Sequence, residues 1–479
     1  MRNELQNYEE EIQKLNDQID SLNNLNATLR EVAAAKENEL EKIRSSISWK
    51  LTAPFRYMGN VCYSLMQKTY FTQCALEAIK ILFTKGPREV CHACARFIDR
   101  TRNSNDAGLM TESRSNNNKD GYSAYDSVYE ENKVFKGQPD VKMLAFYLPQ
   151  YHTFPENDEW WGKGFTEWTN VKRGDSRFVG HYQPRVPHKD IGYYSLENVS
   201  VLAKQAQLAK EHGIYGFCFY YYWFSGKRLM EKPVDMLLKH PEIDLPFCLC
   251  WANENWTRAW DGKNKNILIA QEYSDKDDEQ FILDMKKYID DSRYIRINGK
   301  PLVMVYNPGQ IPDCHKSFAK WRECARKAGI GEILIWTCQT ANNNADLLNI
   351  TDCIDAEVEF PPHNMWLDSI AVRDLDLKGK AAFIFNYQRL VDYQVKKLEE
   401  DKKVSVPIHH SCMLAWDNAA RRKNEWFTYY AFSLRSLYKW VLAIAKKARK
   451  DFDEEERFIF VNAWNEWGES AYLEPDTMN

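Results

Sequence analysis

Glu466 and Glu469 stand three residues apart in the stretch Phe458-Ile-Phe-Val-Asn-Ala-Trp-Asn-Glu-Trp-Gly-Glu-Ser-Ala-Tyr-Leu-Glu474. A tight turn between them would aim both carboxyls into one cleft. Two carboxyls whose pKa values are held apart are the equipment for general acid/base work at an acetal. The run before them, Phe458 to Val461, has the length and composition of a buried strand. A strand end is rigid, and in a parallel β/α protein the loops after the strands face a common mouth. Glu466 and Glu469 are therefore the candidate catalytic pair. The bland alternative is a surface turn whose carboxylates are merely solvated.

The same bias recurs after other apolar runs. One leads into Tyr147-Leu-Pro-Gln-Tyr-His152 and a long loop with Trp160, Trp161, Glu167 and Trp168. Others lead into Tyr220-Tyr-Tyr-Trp-Phe224, Trp251-Ala-Asn-Glu-Asn-Trp256, Tyr306-Asn307, Glu357-Val-Glu359 and Trp416-Asp-Asn418. Any one of these reads equally well as capping or turn chemistry. Together they describe an aromatic, hydrogen-bonding rim of the kind that holds sugar rings against flat faces and hydroxyls against amides and carboxylates. The candidate substrate-binding residues are Tyr147, Glu167, Trp168, Tyr222, Trp251, Asn253, Glu254, Trp256, Glu359, Asp417 and Trp467.

No metal or other cofactor is expected. His152 and His363 are isolated, and Cys91-His-Ala-Cys94 is half a zinc site with only Cys62 and Cys74 near it in sequence. Neither a Gly-x-Gly-x-x-Gly nor a Gly-x-x-x-x-Gly-Lys follows a strand, so both nucleotide fingerprints are missing. Asp275-Lys-Asp277 has the form of a sugar-nucleotide metal motif, but it opens a polar helical pattern and reads as a solvated face.

The elements that must position these groups form an alternating series. Strand-like runs fall at 143–148, 215–220, 247–251, 302–306, 333–338, 353–359, 410–416 and 458–463. Helical patterns lie near 196–212, 230–240, 276–291, 316–328, 387–401 and 425–450. Eight such runs separated by helices predict an α/β fold, a (β/α)8 TIM-type barrel over 141–479. About fifteen residues follow the last strand, so either the barrel lacks its last helix or the chain stops early.

Upstream, residues 1–47 carry a heptad. One seam runs Leu5, Ile12, Ile19, Asn26, Ala33, Leu40, Ile47 and the other Tyr8, Leu15, Leu22, Leu29, Lys36, Ile43. This predicts an N-terminal coiled coil and a homodimer through it, with Asn26 setting register. Residues 48–103 read as a helical connector, Lys/Arg-flanked and aromatic, that either packs on the next domain or touches a membrane surface peripherally. Residues 104–140 are a polar linker, expected to be disordered.

Composition narrows the class. A net charge of −4 argues against nucleic acid as a partner. With 16 Trp, 26 Tyr and 23 Phe, aromatic residues reach 14%, which suits sugar stacking. No 18-residue apolar run exists to span a bilayer, and the polar N-terminus is unlike a signal peptide. Cysteines scattered through apolar strands read as reduced thiols, so the expected location is cytoplasmic, with the inner face of a bacterial plasma membrane as the surface it would touch.

Four motifs in order carry a family resemblance: Tyr147-Leu-Pro-Gln-Tyr-His152, Gly164-Phe-Thr-Glu-Trp-Thr-Asn170, Trp251-Ala-Asn-Glu-Asn-Trp256 and Asn465-Glu-Trp-Gly-Glu469. They closely resemble the WbsX-like family, regarded as glycosyltransferases of bacterial O-antigen and capsule synthesis. That family in turn looks like glycoside hydrolase family 99, the endo-α-mannosidases, which are (β/α)8 barrels. Their last strand carries Asn-Glu-Trp-His-Glu-Gly, with the first Glu a base and the second an acid. The resemblance implies a base-like Glu466 and a proton-donating Glu469, although Gly468 and Ser470 stand where the hydrolases have His and Gly. The activity implied is formation or cleavage of a glycosidic bond, on an oligosaccharide or lipid-linked glycan, during surface-polysaccharide assembly. An endo-acting family 99 hydrolase and a non-catalytic, glycan-binding coiled-coil assembly protein are the alternatives. Residues 1–50 alone should sediment as a helical dimer, and Asn26→Leu should raise its stability while loosening the choice of oligomer. A monomer at high micromolar concentration would count against the coil.

Overall fold

The computed structural model describes residues 137 and 139–478, apart from 258–266, 341–342, 368–369, 373–376, 378–382, 401–402 and 423–424. The expected coiled coil over 1–47 and connector over 48–103 lie outside the described residues, as does the linker but for its last residues.

Eight parallel strands form a ring. They are β1 (Lys142–Tyr147), β2 (Gly216–Phe224), β3 (Phe247–Trp251), β4 (Lys300–Val305), β5 (Leu334–Gln339), β6 (Ala356–Glu359), β7 in two pieces (Ile408–His409 and Ser411–Met413) and β8 (Phe458–Asn462). Each pairs with its sequence neighbour, and β1 pairs with β8. The ring closes through β7, which changes partner at His410. Ile408–His409 run beside β6, and Ser411–Met413 beside β8. All eight sequence-predicted strands are therefore present in the expected order. They are legible because a parallel strand covered on both faces reads as a continuous apolar run; every residue of Phe247-Cys-Leu-Cys-Trp251 is buried.

Two short helices lie in the loop after β1: α1 (Pro155–Trp161) and α2 (Glu167–Lys172). The outer helices are α3 (Val199–Glu211), α4 (Lys232–Lys239), α5 (Asp275–Ile289), α6 (Cys314–Lys327), the single turn α7 (Ala345–Leu348), α8 (Tyr387–Glu399) and α9 (Leu434–Asp451). Local sequence starts most of them. Asn198, Ser274, Asp313, Asn344, Asn386 and Ser433 each accept a hydrogen bond from a first-turn amide at the N-cap. In α5, three Asp occupy the first turn and two Lys the last, complementing the helix dipole.

The barrel interior is filled, not hollow. The Phe146 ring lies 4.8 Å from Phe360, 5.5 Å from Phe460 and 5.9 Å from Tyr220, tying β1 to β2, β8 and the end of β6. Cys218, Cys248, Cys250 and Met304 add a sulfur-rich layer, with Cys218 Sγ 3.5 Å from Met304 Sδ. The described cysteines are all free thiols, and all but Cys353 are buried.

Candidate functional site

The chemistry collects where β7, β8 and β1 lie side by side. After Asn462 the chain bends over the barrel end, Asn465–Glu466 pairs antiparallel with Ala471–Tyr472, and a turn at Trp467–Glu469 joins them. Asn465 pins this hairpin to β1. Its side chain accepts from Leu148 N (2.7 Å) and donates to Leu148 O (2.9 Å). Tyr151 adds a second pin, its hydroxyl donating to Asn465 O (2.7 Å) and accepting from Trp467 N (3.1 Å).

One guanidinium organises the carboxylates. Arg421, from the loop after β7, donates through Nε to Glu167 Oε1 (2.7 Å), pairs through Nη2 with Glu466 Oε1, and sets Nη1 2.7 Å from Glu469 Oε1. Three separate edges of the planar fork thus serve three carboxylates, a geometry lysine cannot supply. Arg421, Glu167 and Glu466 are buried, whereas the Glu469 side chain keeps 28% exposure. The Glu466 carboxyl is pushed up to about 8, chiefly by burial and with the carboxylates of Glu469 and Glu167 adding to it, against the pull of Arg421. Burial likewise raises Glu167, again opposed by Arg421.

Gly468 is required by this packing. A Cβ there would lie 1.8 Å from Glu167 Oε1 and 2.6 Å from Arg421 Nε. The residue between the two catalytic candidates is small because the arginine and its partner fill the space.

A second tier holds the turn. Buried Glu474 accepts from Gln205 Nε2 (2.6 Å), Trp464 Nε1 (3.1 Å), Trp467 Nε1 (2.7 Å) and the Tyr194 hydroxyl (2.8 Å), and burial outweighs these bonds to raise its pKa to about 7. Asp417 accepts from His181 Nε2 (2.5 Å) and Gln183 Nε2 (3.0 Å), and its backbone amide donates to Glu469 O (2.7 Å). Burial raises the Asp417 carboxyl, but the contact with His181 and the other donors wins and its pKa is lowered.

Aromatic walls flank the carboxylates. Trp256 meets Tyr222 at 5.6 Å and Trp160 at 5.4 Å on the side of β2 and β3. Opposite, Trp416 donates to Glu469 Oε2 (3.2 Å) and stacks on Phe427 at 3.8 Å, which carries the half-exposed Trp366. Between them Tyr306 faces Glu254 and Glu469, and its hydroxyl lies 3.1 Å from His363 Nε2. Burial lowers the His363 pKa, with Glu469 acting in the opposite sense.

The sequence candidates therefore divide. Glu466, Glu469 and Glu167 meet at Arg421, with Tyr222, Trp256 and Glu254 around the same mouth. Glu254 is exposed, held by Asn307 Nδ2 (2.8 Å), and Asn307 is itself fixed by reciprocal bonds with Asn253. Tyr147, Trp168, Trp251, Asn253, Asp417 and Trp467 are buried, their polar atoms bonded to protein: Tyr147 to Gln205, Trp168 to Tyr194 O, Trp251 to Trp223 O, Trp467 to Glu474. Glu359 is not brought to this mouth. It shares its strand side with Glu357 and pairs with His410 (3.0 Å) and with Lys397 of α8; burial raises it, but His410 and Lys397 pull its pKa down to about 2. Arg421 escaped the sequence reading. The signal was a pair of arginines, Arg421-Arg422, just past Trp416-Asp-Asn418.

Among the described residues, one group of His, Cys, Asp and Glu side chains is close enough to share an ion: His315, Asp352 and Cys353, with ligand atoms within 4.8 Å of one another. Cys91-His-Ala-Cys94 lies outside the described residues.

A parallel eight-stranded barrel with a carboxylate–arginine cluster on the loops after its strands is the class that this fold and site define. The chain belongs to the WbsX glycosyltransferase family, whose model matches residues 143–479. It is 40% identical over 338 residues to the uncharacterized protein WxcX of Xanthomonas campestris pv. campestris (strain B100), and equally to that of strain ATCC 33913. The match takes in 70% of this chain and 47% of the relative, so the chain spans about half the length of the curated relatives it matches. Similar solved structures include the GH99 endo-alpha-mannosidase of Bacteroides thetaiotaomicron (14% identity, 71% of this chain and 88% of that one, TM-score 0.43). A glycoside hydrolase-like protein (14%, 74% and 92%, TM-score 0.45) and a beta-glucosidase from Thermotoga maritima (11%, 72% and 93%, TM-score 0.34) are others.

Two outcomes test the cluster. Gly468→Ala should separate Arg421 from Glu167 and cost about 1–3 kcal/mol as an overpacked site, read by urea unfolding. The second concerns protonation. A folded-state carboxyl raised from 4.5 to about 8 keeps a proton that the unfolded chain has released, so it makes stability fall as pH rises through that window. Glu466→Gln removes this contribution, so the variant's Tm minus that of the wild type should grow from pH 5 to pH 8. A constant difference would place the proton elsewhere.

Proposed function

We propose that this chain acts at a glycosidic bond of a polysaccharide, forming or cleaving it during assembly of a bacterial surface glycan, with Glu466 and Glu469 as the reacting carboxyls. The observation that carries the reading is their convergence on one guanidinium between two aromatic walls, at the strand ends where barrel enzymes do chemistry. A glycosidic oxygen needs a proton as it leaves, and the anomeric carbon needs a carboxylate or an activated hydroxyl. Water as the acceptor gives hydrolysis and a sugar hydroxyl gives transfer, with the same two groups. The family's name favours transfer.

The roles follow burial. Glu466, pushed up to about 8, keeps its proton at neutral pH and donates it to the leaving glycosidic oxygen. Glu469, on the open side beside Trp416, faces the anomeric centre or the incoming hydroxyl. This reverses the split that the motif resemblance implies. Tyr222 and Trp256 offer sugar faces, Glu254 accepts from sugar hydroxyls, and Glu167 keeps Arg421 in place. Tyr147, Trp251, Asn253, Asp417 and Trp467 support the floor. A coil over residues 1–47 would make the protein a homodimer, and residues 48–103 would either pack on the next domain or touch the inner face of the plasma membrane from the cytoplasm. No described helix is long and apolar enough to cross a bilayer.

The test is incubation of the full chain with defined α- and β-linked oligosaccharides and with nucleotide sugars, scoring cleavage and transfer. Glu466→Gln should lose poor leaving groups, spare activated aryl glycosides, and erase the alkaline limb near pH 8 of the kcat/KM profile. Glu469→Gln should lose both substrate types. The opposite pattern restores the motif's assignment. Full activity in both variants moves the chemistry elsewhere.

A further inference from the structure

A cavity of about 470 Å³ opens beside α2, lined by Trp168, Thr169 and Lys172 of that helix and not by Arg421. Successive helix residues point about 100° apart. Glu167 accordingly reaches the guanidinium while Trp168 lines the cavity. Trp168 and Tyr151 form the partition, the indole lying 5.5 Å from Trp467 and the phenol bonded to the hairpin backbone. None of the three clustered carboxylates lines this space. Its volume falls within the roughly 300–1,000 Å³ usual for small-molecule sites.

The lining has a specific chemistry. Tyr193 is 42% exposed, with the Lys172 ammonium 4.2 Å from its ring centroid. That cation covers one face, and aromatic faces of this kind hold the apolar side of a sugar. Thr166 and Ser195 contribute hydroxyls. His152, 1% exposed, is the telling group. Its Nδ1 lies 2.9 Å from Pro149 O, and a carbonyl only accepts, so Nδ1 carries the hydrogen. Burial lowers the imidazole pKa to about 4, leaving the ring neutral. Nε2 is then a bare lone pair, buried and without a hydrogen-bond partner. A buried acceptor left unpaired is destabilising, and a ligand bearing a donor removes that cost. A carboxylate or phosphate oxygen in its fully ionised form has no hydrogen to give, whereas a sugar hydroxyl does.

We propose that this cavity is a second carbohydrate site, holding one sugar ring against Tyr193 with a hydroxyl donating to His152 Nε2, apart from the bond being made or broken. The site would anchor the glycan at a distance while its reacting end enters the carboxylate cleft. It rests on the proposed function only for the class of ligand; the lone pair and the exposed ring stand independently of any catalysis.

The experiment uses the full chain labelled with ¹⁵N-histidine, and methyl glycosides of α-mannose, α-rhamnose, β-glucose and β-galactose as probes, with acetate as a probe that only accepts. The His152 resonance is identified by its loss in His152→Phe, or in His152→Gln should the first variant misfold. The expected result is a saturable shift of Nε2 with at least one glycoside and none with acetate. Tyr193→Ala, at an exposed position, should weaken that binding at least about tenfold. Glu466→Gln should leave it unchanged, because the two sites are separate. An Nε2 resonance unmoved by every glycoside overturns the proposal, as does an equal shift with acetate or wild-type affinity in Tyr193→Ala. Turnover with no His152 shift removes the second site and leaves the enzyme reading intact; a shift in a chain with no turnover does the reverse.

Discussion

The structure depends on a single buried guanidinium. Taking three carboxylates and one arginine out of water is expensive, and the Coulomb attraction repays it only when geometry is good and hydrogen-bonding capacity is filled. Arg421 meets that condition with Nε, Nη1 and Nη2 each assigned to a different Glu. The cluster is drawn from three loops: Glu167 after β1, Arg421 after β7, and Glu466 and Glu469 after β8. Those strands are consecutive around the ring only because β7 changes partner at His410 and β8 pairs with β1. Barrel closure is thus a precondition of the site.

What surrounds the cluster removes freedom from everything except one carboxylate. Asn465 and Tyr151 fix the hairpin backbone, Glu474 holds both indoles, and Asp417 with His181 fixes the far side of the turn. Side chains locked this way cost no reorganisation when charge develops, which is how an active site stabilises a transition state. Glu469 alone of the three keeps substantial exposure, so in the proposed function the sugar meets the cluster from its side.

The strands and most outer helices were readable because their signals are local: apolar runs covered on both faces, and capping residues before amphipathic turns. The carboxylate pair was readable because it follows such a run directly. Arg421 was not, since nothing in Asp417-Asn-Ala-Ala-Arg421 distinguishes a clamp from a solvated loop arginine. The division between floor and mouth was also hidden. Trp467 and Trp256 are the same residue type at similar places after a strand, yet one is sealed by Glu474 and Tyr472 and the other lines the rim. Glu359 could have been placed by parity. It lies two residues from Glu357, whose carboxyl accepts from Ala345 N on the outer layer, so both face away from the interior that Phe360 enters. Helices α1 and α2 were missed because six or seven residues carry too little periodicity to read.

Gly468 links the packing to the chemistry. A side chain at position 468 would enter the space between the two carboxyls. Here that space belongs to Arg421 and Glu167, neither of which can share it with a side chain. Arginine cannot take part in proton traffic at any accessible pH. The cluster therefore has one fixed positive charge and three groups that compete to ionise beside it. Three carboxylates served by one cation hold a net negative charge in a buried place, and the least costly remedy is for one carboxyl to remain protonated. A cation that never titrates leaves the site's exchangeable proton to its carboxyls. A glutamate whose pKa is raised in this way is the group that the proposed reaction needs as its general acid.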